Sequence, residues 1–149
     1  MNILVVCTGN TCRSPMAEGI LKDLGAKNNL DIKVKSVGIM AFDGDNASNN
    51  AVIVLKNISI NIEGHRASLV RKDLVDEADI ILTMTNSHKN NLIRKFPNAR
   101  IKTFLYNEYA YGKYTDISDP FGGNLNTYKI ARDEIYKASQ AIVKKLVKN

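Results

Sequence analysis

An apolar run, Ile3-Leu4-Val5-Val6, gives way to Cys7-Thr8-Gly9-Asn10-Thr11-Cys12-Arg13-Ser14-Pro15, and an amphipathic stretch follows to about Lys27. This order predicts a strand covered on both faces, a tight turn and a helix. Helix amides and the positive end of the macrodipole point back into such a turn, which makes it an anion site before any side chain acts. A cysteine there is expected to have a depressed pKa and to exist as thiolate. Arg13 can grip two oxygens of a bound phosphate, and Gly9 is expected to let the backbone curl so that the amides of residues 8–13 converge. One stretch thus offers a nucleophile, a phosphate cradle and a charge clamp, the parts of a cysteine-dependent phosphatase.

The rest of the chain alternates in the same way. Residues 31–37 alternate polar and apolar, with Lys33 and Lys35 on one side, which suggests an edge strand. Residues 79–84 are a second uninterrupted apolar run, hence a central strand, and residues 101–106 make a short fourth one. Helices are expected over 47–57, 68–78 (capped at Ser68), 86–96 and 124–147, the last burying Tyr128, Ala131, Ile135, Ala138, Ile142 and Leu146. Ser14 is read as the N-cap of the first helix, with Pro15 in the first helical position. Residues 39–46 and 107–123 are read as loops. The fold class is therefore α/β: a three-layer, four-stranded parallel sheet of order 2-1-3-4 with helices on both faces and right-handed crossovers. The reversal of strand order falls beside the first strand, where ligands of such sheets bind, and Cys7 ends that strand.

Size and charge narrow the remaining choices. The 149 residues make one domain, residues 1–149, large enough to bury roughly 70% of its unfolded surface without disulfides or metal. No apolar run approaches the roughly 20 residues of a membrane helix, and the first strand begins too near Met1 to leave room for a leader. A cytoplasmic chain is expected, acting as a monomer with no membrane partner. The net charge of +6 suits an acidic or phosphorylated partner; because the lysines are spread out and aromatic residues do not interleave with them, nucleic acid is not expected. Both cysteines lie in one loop, so a framework disulfide would add little. Zinc would need further ligands, and His65 and His88 are not suitably spaced. A reactive thiol beside a partner for a reversible protective disulfide fits better. His88 is read as a surface residue of its helix. Lys22, Lys27, Tyr106, Tyr109, Tyr111 and Tyr114 are either a docking rim or simple packing.

Cys7, Gly9, Asn10, Cys12, Arg13, Ser14 and Pro15, in this order between strand and helix, resemble the phosphate loop of the low-molecular-weight protein tyrosine phosphatase family. The resemblance spans essentially the whole chain. By composition alone, Asp119-Pro120 reads as a turn that launches the last helix; the resemblance implies instead that Asp119 is the acid that protonates the leaving group, with Asp116 as the alternative. It also implies that Thr8, Gly9, Asn10, Thr11, Cys12 and Ser14 build the substrate loop, that Ser36 and His65 support it structurally, and that no cofactor is needed. Thr11 and the run Asp119-Pro120-Phe121-Gly122-Gly123 resemble the bacterial protein-arginine phosphatases more than the tyrosine-specific members, which carry an apolar residue at the place of Thr11. Phosphoarginine proteins are then the implied substrates, in bacterial stress response and protein quality control, with phosphotyrosine proteins as the alternative. A phosphoguanidinium brings N–H donors that the Thr11 hydroxyl can accept, although a polar loop residue needs no such reason. Phe121 is expected to wall the substrate's stem. Arsenate reduction would need further cysteines, and none follows Cys12; a dithiol redox protein would require neither Arg13 nor Asp119.

Overall fold

The computed structural model describes residues 1–148. Four strands, β1 (Asn2–Cys7), β2 (Lys33–Gly38), β3 (Ile80–Thr83) and β4 (Thr103–Leu105), form one parallel sheet in the order β2-β1-β3-β4. The helices are α1 (Arg13–Lys27), α2 (Asn49–Lys56), α3 (Lys72–Glu77), α4 (Asn86–Lys95), α5 (Tyr106–Tyr111) and α6 (Leu125–Lys148). The expected fold class and strand order are those observed.

The apolar run of β1 is uninterrupted because both its faces are covered. Ile3, Val5 and Cys7 point into a core shared with α1 and α6, where Ala131, Ile135, Ala138 and Ile142 are wholly buried. Leu4 and Val6 point the other way, against Val70, Leu74 and Val75 around α3 and Leu92 of α4. Successive side chains of a strand alternate between faces, so an all-apolar strand requires a layer on each side. Lys33 and Lys35 of β2 are exposed, as an edge strand allows. In register, Cys7 pairs with Gly38 at the carboxyl end of the sheet.

Several boundaries differ from expectation for identifiable reasons. The N-cap of α1 is Cys12, not Ser14, and Pro15 sits third in the helix; the first four helical N–H groups lack intrahelical partners, so proline is tolerated there. Ser68 does not cap a helix. The Gly38 N–H donates to Ser68 O (2.9 Å) and Val70 N–H to Gly38 O (3.0 Å), so residues 68–70 are drawn out beside the last residue of β2 and helix formation waits until Lys72. Residues 101–102 belong to a 3₁₀ turn, Pro97–Lys102, which shortens β4. Inside the expected loop lies α5, where Glu108 Oε1 accepts from Leu105 N (3.0 Å) and Gly112 closes the helix at φ 71°. Tyr106 is wholly buried, its hydroxyl paired with Ser139 Oγ at 2.5 Å, so it belongs to no docking rim; Tyr111 and Tyr114 are exposed. Among the described residues no helix is long and apolar enough to cross a membrane.

Candidate active site

The turn between β1 and α1 is held by a buried polar lattice. Asn10 is wholly buried, and its Nδ2 donates to Ser14 Oγ (2.8 Å) and Ser36 Oγ (2.9 Å). Its Oδ1 accepts from Ser68 N (2.9 Å), and its carbonyl lies 2.8 Å from His65 Nε2, which must therefore carry a proton. Ser36 Oγ donates in turn to Glu18 Oε1 (2.7 Å). The expected supporting residues Ser36 and His65 thus meet the loop residues Asn10 and Ser14 in one network. The left-handed residue of the turn is Asn10, at φ 57°, not the expected Gly9. Asparagine tolerates that conformation, and its side chain, fully bonded, holds it there. Gly38 has a steric role that sequence reading missed: a Cβ there would overlap Thr8 O and come within 2.9 Å of Asn10 N.

The lattice also settles which way the Ser14 hydroxyl points. Ser14 Oγ accepts from Asn10, so its own proton is free to donate to Cys7 Sγ, 2.8 Å away. The backbone N–H groups of Ser14 and Asn10 also reach that sulfur, and the Arg13 charge lies nearby; all favour the thiolate. Burial acts in the opposite direction and prevails, pushing the Cys7 thiol up. The depressed pKa expected from the sequence is corrected here, because a helix-terminus argument leaves out the desolvation of a sulfur only 3% exposed. Cys12 is free as well, with its sulfur 3.2 Å from Tyr128 Oη.

Arg13 is buried and spans two segments. Its Nη1 donates to Ile117 O (2.9 Å), and its Nη2 lies 3.5 Å from Asp119 Oδ2. Ile117 N donates to Met84 O at the end of β3 (2.9 Å), so the segment carrying Asp119 is tied to both sheet and phosphate loop. Asp119 accepts from Phe121 N (3.1 Å) while its side chain stays 59% exposed. Asp116, the alternative acid, accepts from Asn86 N (2.8 Å) at the start of α4 and is committed to that helix.

Together these residues enclose a cavity of about 330 Å³ lined by Cys7, Thr8, Gly9, Thr11, Cys12, Arg13, Asp119 and Phe121. Met40, Phe42 and Asp45, which sequence reading passed over inside a loop, complete its wall. Nothing in their local pattern marks them; residues 39 and 40 reach the site because Ile39 N and Met40 N donate to Cys7 O (3.0 Å) and Thr8 O (2.9 Å).

His88, expected on the surface, is buried, with Nε2 2.7 Å from Thr8 Oγ1 and Nδ1 lacking a partner among the described residues. Desolvation and the Arg13 charge lower its pKa to about 4, against the opposing pull of Asp119 and Asp116, so the imidazole is neutral at pH 7. If the ring proton sits on Nε2, the Thr8 hydroxyl is free to donate into the cavity, whereas the other tautomer leaves a buried N–H unpaired. Among the described residues, no group of three or more His, Cys, Asp or Glu side chains is placed to hold a metal.

This arrangement can be set beside known proteins. The chain is 39% identical over 151 residues to a protein-arginine-phosphatase of Bacillus subtilis (100% of this chain, 99% of the relative). It is 42% identical over 144 residues to one from Geobacillus stearothermophilus (97% and 95%). A mutant of YwlE arginine phosphatase with a phosphorylated active-site serine superposes with a TM-score of 0.98 at 38% identity, covering 100% of this chain and 97% of that one. Residues 2–149 match the family described as Low molecular weight phosphotyrosine protein phosphatase. By sequence over its whole length and by fold, this chain belongs to that family.

Proposed function

We propose that this chain removes phosphate from phosphoarginine residues of proteins through a phosphocysteine on Cys7. The observation that carries the proposal is the layering of charge in one cavity. Cys7 and Arg13 lie at its floor, and Thr11, Asp45 and Asp119 stand in its wall. The floor suits a phosphoryl group and the acidic wall suits the cationic guanidinium behind it. A neutral phenol carries no charge for the Asp45 carboxylate to hold and would use Asp119 only as a proton donor. The names of the relatives point in the same direction.

In the first step the thiolate form of Cys7, which the Ser14 hydroxyl, the loop amides and the Arg13 charge favour against burial, attacks phosphorus in line; an S–P bond forms as the N–P bond breaks. Loop amides and the Arg13 N–H groups not committed to Ile117 take the equatorial oxygens. Protonated Asp119 gives its proton to the leaving nitrogen. Water then attacks the phosphocysteine, Asp119 takes the water's proton, and the S–P bond breaks to release inorganic phosphate.

The second reading, a tyrosine phosphatase, is favoured by Phe42 and Phe121, 77% and 78% exposed, which offer aromatic walls to a phenyl ring. Parallel assays on phosphoarginine and phosphotyrosine peptides separate the two readings. The native protein is expected to prefer phosphoarginine, Cys7→Ser to turn over neither substrate, and Thr11→Ile to shift preference toward phosphotyrosine. A native preference for phosphotyrosine that Thr11→Ile leaves unchanged would overturn the phosphoarginine reading.

A further inference from the structure

A second cleft, of about 290 Å³, opens beside the catalytic cavity. Ile39, Val70 and Phe96 form its apolar surfaces, and Asn91, Arg94 and Lys95 of α4 its polar side. Met40, 70% exposed, lines both cavities and is the ridge between them. Among the described residues no carboxylate lines the cleft. Lys95 Nζ rests 5.8 Å from the Phe96 ring centroid, and neither Arg94 nor Lys95 forms an ion pair among the described residues. The catalytic cavity has acidic residues in its wall, whereas this neighbour is purely basic.

We infer that this cleft receives the polypeptide flanking the phosphorylated residue and selects an acidic side chain three or four positions away from it. The inference rests on the protein-phosphatase reading but not on the choice between arginine and tyrosine. A substrate residue held in the catalytic cavity must lead its chain out over the rim, and Met40 is the stretch of rim that opens onto a second depression. The spacing follows from α4. His88 touches Thr8 at the catalytic cavity, and Arg94 lies six residues further along the helix, about 9 Å at the usual rise per residue. An extended chain covers that distance in about three residues. Bases in the last turn of a helix also complement its dipole, but that role does not require them to line a cleft continuous with the active site.

The test uses one phosphopeptide sequence with Glu, Ala or Lys placed three and four residues from the phosphorylated residue, on the N-terminal and C-terminal sides separately. The full-length protein, Arg94→Ser/Lys95→Ser and Arg94→Glu/Lys95→Glu are compared by kcat/KM, with p-nitrophenyl phosphate as a reference. The native protein is expected to favour Glu over Lys by roughly three- to tenfold on one side, the range of two partly exposed ion pairs. The preference should weaken with salt, vanish in the double serine variant and reverse in the double glutamate variant. Because it is a ratio between peptides on one enzyme, loss of folded protein does not mimic it. Equal rates for all peptides, or a preference that survives both double variants, would overturn the inference. Turnover of p-nitrophenyl phosphate with no phosphopeptide hydrolysed would instead remove the protein-phosphatase reading beneath it.

Discussion

The two segments that face each other across the catalytic cavity are built on opposite principles. In the phosphate loop Cys7, Asn10, Arg13 and Ser14 are buried, and each is bonded to another segment or within the loop. In the opposite segment the Asp119 and Phe121 side chains are exposed, and the chain is held by buried Ile117, bonded to Met84 and Arg13, by Asp116 on Asn86 and by the Asp119–Arg13 ion pair. The floor, which in the proposed reaction holds several N–H groups on one phosphoryl group, gains from rigidity, since the donors are then aimed before charge develops. The wall, which in the proposed reaction admits a side chain and exchanges protons with it, gains from solvent access. Polar residues are dear to bury, so the first design needs every donor paired, whereas the second does not.

This contrast is sharpened by removing one member of each side. Asp119→Asn is expected to lower kcat by about 10²–10⁴-fold, the usual range for a lost acid-base group, while leaving the thermal midpoint within a degree or two of the native value, because the side chain is mostly exposed. Asn10→Ala should do the reverse in proportion: it strands Ser14, Ser36 and the Ser68 N–H at once and leaves alanine at positive φ, costing about 2–4 kcal/mol in urea unfolding. If Asp119→Asn destabilised the fold as much as Asn10→Ala, the distinction between stiff floor and open wall would fail. Ser14→Ala removes the hydroxyl that pulls the Cys7 pKa down, so iodoacetamide should alkylate Cys7 several-fold more slowly at pH 7, with the rate profile displaced to higher pH. An unchanged profile would show that the amides alone set the thiol's reactivity.

A pH-dependent effect concerns His88. Its pKa in the folded protein, about 4, lies below the ordinary value near 6.5, so between those limits the unfolded chain binds more protons. Stability is therefore fully present above about pH 6.5 and is lost as pH falls toward 4. His88→Phe should show a shallower fall in urea midpoint between pH 6.5 and 4.5 than the native protein. An identical slope would mean that carboxylates alone account for the acid sensitivity.

Much of this was legible because it is local. Cys7, Arg13 and the residues between them lie on one turn, and the alternation of apolar runs with amphipathic stretches requires a covered parallel sheet. Less legible were features that depend on what packs against a segment. Ser68 and Val70 lie shortly before α3 but are drawn out to pair with Gly38 at the end of β2. The six residues of α5 are too few for a periodic signal, and only Glu108 and Gly112 hint at its ends. His88 stands in a polar run, and nothing near it tells that α4 turns it against Thr8.

The sequence by itself determined the strand order and placed a thiol and a guanidinium on one turn, because short-range backbone geometry and two-sided burial leave few alternatives. Only the tertiary structure decided that Asp119 faces the cavity while Asp116 is bonded to Asn86 N at the start of α4, that Asn10 takes the left-handed turn, and that Met40, Phe42 and Asp45 enter the wall. Those outcomes depend on where segments distant in the chain come to rest, and the register of the sheet sets that, not the residues' own conformational preferences.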